Sequence, residues 1–179
     1  MAMWHGVSDN LTRARVPVPA GGAYDIASPP QNALVTRELA VELQRVLERF
    51  AVEASFNPQN RVSLFFRPGV VGHHQVGRAA DIYGVGGMGL DEWKRRWDAA
   101  IQLAERAADL QERQRILDQE RTRNLGWRLY KALQIYGDWA QPRGYPIQLF
   151  GPWTRSEGPL TSISERLLYA HRDHIHVAK

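Results

Sequence analysis

The sequence predicts an α+β fold, with helices packed on a small antiparallel sheet. Three observations predict it. Short runs of strand length lie on both sides of a long region with helical periodicity. The last residues alternate with period two, the pattern of a half-buried strand. Gly- and Pro-rich stretches separate these segments, with no internal repeat. The 179 residues are read as a single domain, 1–179, long enough to bury a core.

Residues 1–32, rich in Gly, Pro and Ala, read as an irregular lead-in with one short strand at Tyr24-Asp25-Ile26. Over 33–52, Leu39, Leu43, Val46, Leu47 and Phe50 recur at helical spacing, with Asn32 as the expected N-cap. Asn57-Pro58 ends that segment. Residues 61–66 read as a strand followed by a turn at Pro68-Gly69, and 79–83 as a second strand closed by glycines. Asp91 is the expected cap of a long helical stretch on which Trp93, Trp97, Ile101, Ala104 and Ala108 keep helical spacing. Residues 111–123 are mostly charged and polar, the composition of a solvated helix or helical hairpin. Gly126 is the expected break before a helix over 127–136 carrying Trp127, Leu129, Leu133 and Ile135. Residues 141–159 are loop-rich around a strand at 147–150, and His174-Ile175-His176-Val177 forms the final strand. Trp153, in that loop-rich region, reads equally as a cleft wall or a core residue.

Composition narrows the chemistry. Hydrophobic residues make up 44% and charged residues 23%, as in ordinary globular proteins. With no cysteine, disulfides and thiolate metal sites are excluded, so any metal must be held by His, Asp or Glu. The net charge of +4, nearly all of it from arginine, is compatible with an anionic partner. No basic tract with interleaved aromatics points to nucleic acid, and no run of about 18 apolar residues points to a membrane span. The opening MAMWHGVSDN does not read as a signal peptide. The expectation is release of a phage-lysin kind, or a module of a larger secreted protein.

Five of the six histidines fall in two clusters: His73 and His74, followed by Asp81, and His171, His174 and His176. Imidazoles with a nearby carboxylate suit a divalent transition metal, above all zinc. On a strand, His174 and His176 share one face while Ile175 and Val177 take the other. His74 and Asp81 are an odd number of residues apart, so an unbroken strand would separate them; Gly77 allows the turn or bulge that brings both round. Two nitrogens and one oxygen leave a fourth position open, which marks a catalytic rather than a structural zinc site. His5 and His73 are read as ordinary surface or core histidines.

His74-Gln-Val-Gly77-Arg-Ala79-Ala-Asp81 fits H-x-x-G-x-A-x-D, and His174-Ile-His176 fits H-x-H. Together, in this order, they resemble the LAS superfamily: D-alanyl-D-alanine metallopeptidases, murein endopeptidases with related phage endolysins, and the zinc domain of hedgehog proteins. The motifs cover fewer than twenty residues of the chain. The resemblance implies zinc ligands His74, Asp81 and His176, a zinc cleft on the sheet, and a long helical insertion around 91–140. It implies a catalytic base at His171, as in the murein-cleaving branch, or at Asp173, with His174 beside the metal. Arg67 is the candidate substrate-carboxylate contact. Gly72 departs from the serine that many carboxypeptidase members carry two residues before the first ligand, which leans toward an endopeptidase. The implied substrates are peptidoglycan stem or cross-bridge peptides, cut by an endopeptidase or carboxypeptidase. The alternative is a hedgehog-like zinc-containing binding module without catalysis.

Overall fold

A small alanine-rich run, Ala79-Ala80, opens the strand around which the sheet is built. Alanine has little strand preference of its own, so packing against covering elements holds this run in the sheet. A computed structural model describes residues 16–17, 24–26, 34–54, 62–65, 73–74, 77–139, 148–157 and 164–179. In chain order the elements are β1 (Val16–Pro17), β2 (Tyr24–Ile26), β3 (Leu34–Val35), α1 (Arg37–Glu53), β4 (Val62–Phe65), β5 (Ala79–Val85) and β6 (Met88–Gly89). There follow α2 (Leu90–Glu105), α3 (Leu110–Arg123), α4 (Leu125–Tyr136), β7 (Leu149–Phe150), α5 (Thr154–Glu157), α6 (Glu165–Ala170) and β8 (Ile175–Ala178).

The fold is α+β. The main sheet runs β2-β4-β5-β8-β7, with β6 hairpinned onto β5, and β1 and β3 form a separate ribbon. β5 pairs antiparallel with β4, β6 and β8, and β8 pairs antiparallel with β7. One pairing departs from the antiparallel expectation: β2 lies parallel to β4, joined through a crossover that contains α1. Local sequence pattern sets strand identity but not which distant strand becomes a neighbour.

Helix α1 buries Leu39, Leu43, Val46, Leu47 and Phe50, the stripe its spacing predicts. Its cap is Thr36, whose hydroxyl accepts from Leu39 N, so the helix starts later than expected and Leu34-Val35 is a strand instead. Asn32 lies outside the described residues, as do the turn signals at 57–58 and 68–69. The long helical stretch divides into the hairpin α2–α3, capped by Gly89 and Asp109; Asp91 sits in the first turn of α2 and pairs with Arg95. Helix α3 buries none of its residues, as its polar composition requires.

The next break is at Asn124, not Gly126. The Asn124 side chain caps α4 at Trp127 N and also donates to Trp93 O of α2. Gly126 lies inside α4, where a Cβ would come within 2.6 Å of Trp93 Cβ and 2.8 Å of Trp153. Its role is close approach. Leu129, Tyr130 and Leu133 of α4 enter the core, while Ile135 is exposed. Trp153 is fully buried against Tyr130, so it is a core residue and no cleft wall.

The sheet presents Ala80, Ile82, Leu149, Ile175 and Val177 to this core, each almost or wholly removed from water. Burying one such large aliphatic side chain is worth roughly 1.5–3 kcal/mol relative to leaving it exposed. These contacts fix which way β5 and β8 face. Their alternate residues therefore project from the opposite side.

Candidate metal centre

Register places the first two groups. In the antiparallel pair β5–β8, Asp81 lies directly across from His176. Such partners have side chains on one face, close enough to touch. Phe150 of β7 lies across from His176 on its other side.

His74 comes from the turn before β5. Gly77 N donates to His74 O at 3.1 Å and Arg78 N to His73 O at 2.8 Å. Gly77 has φ +72°, a left-handed conformation that would cost a residue with a Cβ about 1–2 kcal/mol. Gly77 O accepts from Thr36 N at 2.9 Å, tying the turn to the start of α1. The turn thus overcomes the odd spacing between His74 and Asp81. Arg78 and Lys179 exchange backbone and side-chain bonds, fastening the chain end beside the turn.

The three groups converge. His74 Nε2 lies 3.1 Å from His176 Nδ1 and 3.3 Å from Asp81 Oδ1. His176 Nδ1 lies 3.0 Å from the same oxygen. Nitrogen and oxygen ligands about 2.0–2.2 Å from a tetrahedral ion stand roughly 3.3–3.6 Å apart. The observed separations match that within a few tenths of an ångström. This His–Asp–His group can hold a metal ion.

The electrostatics fit the same reading. Asp81 is fully buried. Burial opposes its ionisation, but the hydrogen bonds from His176 and His74 and their charges hold it well below the usual carboxylate range. Burial pushes His176 down, and Asp81 offsets only part of this. The site therefore offers an ionised carboxylate and a neutral imidazole, the protonation states a divalent cation needs. His74 Nδ1 is buried without a hydrogen-bond partner among the described residues.

His171 and His174 adjoin this group. Their rings lie 5.0 Å apart, and His171 is 5.4 Å from the His176 ring, centroid to centroid. His171 caps the short helix α6, and its Nδ1 donates to Leu167 O at 2.8 Å, directing its lone pair to Nε2. Burial lowers its pKa to about 4. His174 Nε2 is 3.7 Å from Asp81 Oδ1, and its Nδ1 donates to Asp173 at 2.8 Å. Burial works against Asp173's charge, yet the bond with His174 lowers its pKa. Asp173 is mostly exposed and turned toward His174. His73 is half-buried beside the cluster, and burial lowers its pKa to about 4.

Sequence reading did not single out Tyr83, stacked on the His174 ring at 5.0 Å, or Phe150, 5.4 Å from the His171 ring. The signal was available for Tyr83: two residues beyond Asp81 on a strand is the same face. Arg67, Gly72 and His5 lie outside the described residues. No helix among the described residues is long and apolar enough to cross a membrane. Compared with protein families, curated proteins and solved structures, the chain matches none of them.

Proposed function

We propose that this chain is a zinc metallopeptidase of the LAS type that hydrolyses peptide bonds of bacterial cell-wall peptidoglycan. The observation that carries the reading is the convergence of His74 Nε2, Asp81 Oδ1 and His176 Nδ1 from two distant motifs, with His171 and His174 alongside. Three ligands rather than four is the pattern of a catalytic zinc. When bound, zinc supplies Lewis acidity toward a carbonyl oxygen and lowers the pKa of water toward ~7.

The chain's own residues supply the rest. His171 is neutral at pH 7, and the Leu167 carbonyl fixes its proton on Nδ1. Its Nε2 accepts a proton as general base and later returns it to the leaving amine. His174 has its Nδ1–H bound by Asp173, which fixes the orientation of its ring beside the metal position. Asp173 acts here through His174. The peptidoglycan substrate is supported by the motif resemblance and by the net charge of +4, which favours an anionic wall.

The test couples zinc quantification with clearing of purified cell walls. About one zinc per chain is expected, with clearing lost to chelator and restored by zinc. His171→Ala should retain zinc and lower turnover by roughly 10²–10⁴-fold. Zinc retained without clearing would favour the hedgehog-like binding module, and absence of zinc would remove the reading.

A further inference from the structure

We propose that Gln148 is the positioning residue of the metal centre: its side-chain carbonyl accepts the Nε2–H of His176 and so keeps Nδ1 as the metal-binding lone pair. This rests on the His74–Asp81–His176 centre proposed above.

A neutral imidazole carries one proton and one lone pair. Nδ1 of His176 is the nitrogen that faces Asp81 and His74, at 3.0 and 3.1 Å. To bind a cation it must present its lone pair there, so the proton belongs on Nε2 and needs an acceptor. The side-chain amide nitrogen of Gln148 lies 3.5 Å from Nε2, at the outer limit of hydrogen-bond distance. Its backbone is fixed, because Gln148 O accepts from Ala178 N at 3.1 Å. Gln148 stands two residues before Phe150, the residue paired with His176, and so occupies the same face of the sheet.

A half-turn of the amide exchanges its oxygen and nitrogen in place. Nitrogen toward His176 matches the tautomer whose Nδ1–H points at Asp81. Oxygen toward His176 matches the ligand tautomer. The amide oxygen, on the far side, is buried without a partner among the described residues, so hydrogen bonding elsewhere does not choose between the two. The occupant of the Nδ1 side does: a proton selects one orientation and a metal ion the other. His74 has no such support at its buried Nδ1 among the described residues, so of the two imidazole ligands His176 is the one with an amide at its outer nitrogen.

The experiment measures Zn²⁺ affinity by competition with a chromogenic chelator, together with melting of the metal-free protein. It compares wild type, Gln148→Leu and Gln148→Glu. Leu preserves bulk and removes the acceptor, so affinity should fall about 10–100-fold with metal-free melting unchanged. Glu is acceptor-only and should bind zinc as tightly as wild type or more so, a rescue that a packing role would not give. Wild-type affinity in Gln148→Leu overturns the proposal, as does a Glu variant as weak as Leu. If the Leu variant does not fold, the Glu variant decides alone: equal or tighter binding supports the role and weaker binding overturns it. A wild type without zinc would instead overturn the centre itself, and the Gln148 role with it.

Discussion

Strands β5 and β8 carry two surfaces of opposite chemistry on one stretch of backbone. Toward the helices they present Ala80, Ile82, Ile175 and Val177, all wholly buried. Toward the other side they present Asp81 at 0%, His174 at 5% and His176 at 7% exposure. The two faces are equally dry, yet only the first is stabilised by being so. Burying an ionised carboxylate costs several kcal/mol unless its lone pairs are met. Around Asp81 the neighbours are imidazoles, and burial disfavours the charged form of His176. The apolar face therefore works for the fold, and the polar face is held in place by it. Cross-strand register joins them: the Ala80–Val177 pair cannot seat in the core without bringing Asp81 opposite His176.

His176→Ala breaks the comparison most sharply. Zinc affinity is expected to fall by more than the roughly 100-fold that loss of an outer-shell partner can cost. The metal-free protein should stay folded, losing the His176 bond to Asp81 while the helix-facing core is untouched. Calorimetric zinc titration and thermal melts read the two effects separately, and undiminished affinity would take His176 out of the centre. Ile175→Ala, one residue away on the other face, should do the reverse. Removing that side chain from a filled core is worth about 2–5 kcal/mol of unfolding free energy by denaturant titration. Zinc affinity measured where this variant is still folded should stay within tenfold of wild type. Loss of binding in the folded variant would mean the two faces cannot be separated.

The same two faces show what a sequence discloses. His174 and His176 were legible as one face because a strand's period is a backbone property, and the pairing of His74 with Asp81 needed only that Gly77 turn the chain. The apolar stripe of α1 and the solvated α3 were legible for the same reason: composition and spacing encode exposure. Caps were less so. Thr36 displaced Asn32, and Asn124 displaced Gly126, because each does more than end a helix: Thr36 N binds the turn at Gly77, and Asn124 binds Trp93 of α2. Those partners are distant in sequence and leave no local signature. The parallel β2–β4 pairing and the contact of Gln148 with His176 were hidden on the same grounds.

The smallest expected effect sharpens the comparison through pH. In the metal-free protein, burial holds His171 and His73 near a pKa of about 4, below the ordinary histidine value. The unfolded chain then binds more protons than the folded one between about pH 6.5 and 4. Stability is fully present above that window and falls as pH drops through it. For His171 alone the loss is about 2 kcal/mol at pH 5, and His73, more open to water, adds less. Asp81, whose folded pKa is depressed, contributes stability that is lost only as pH falls below the ordinary carboxylate range, so it does not act in this window. Denaturant titrations in chelator at pH 7 and pH 5 measure the difference, and His171→Leu should remove the share due to His171, leaving that of His73 and of His176, whose pKa burial also lowers. An equal pH slope in that variant would place the proton-linked instability elsewhere.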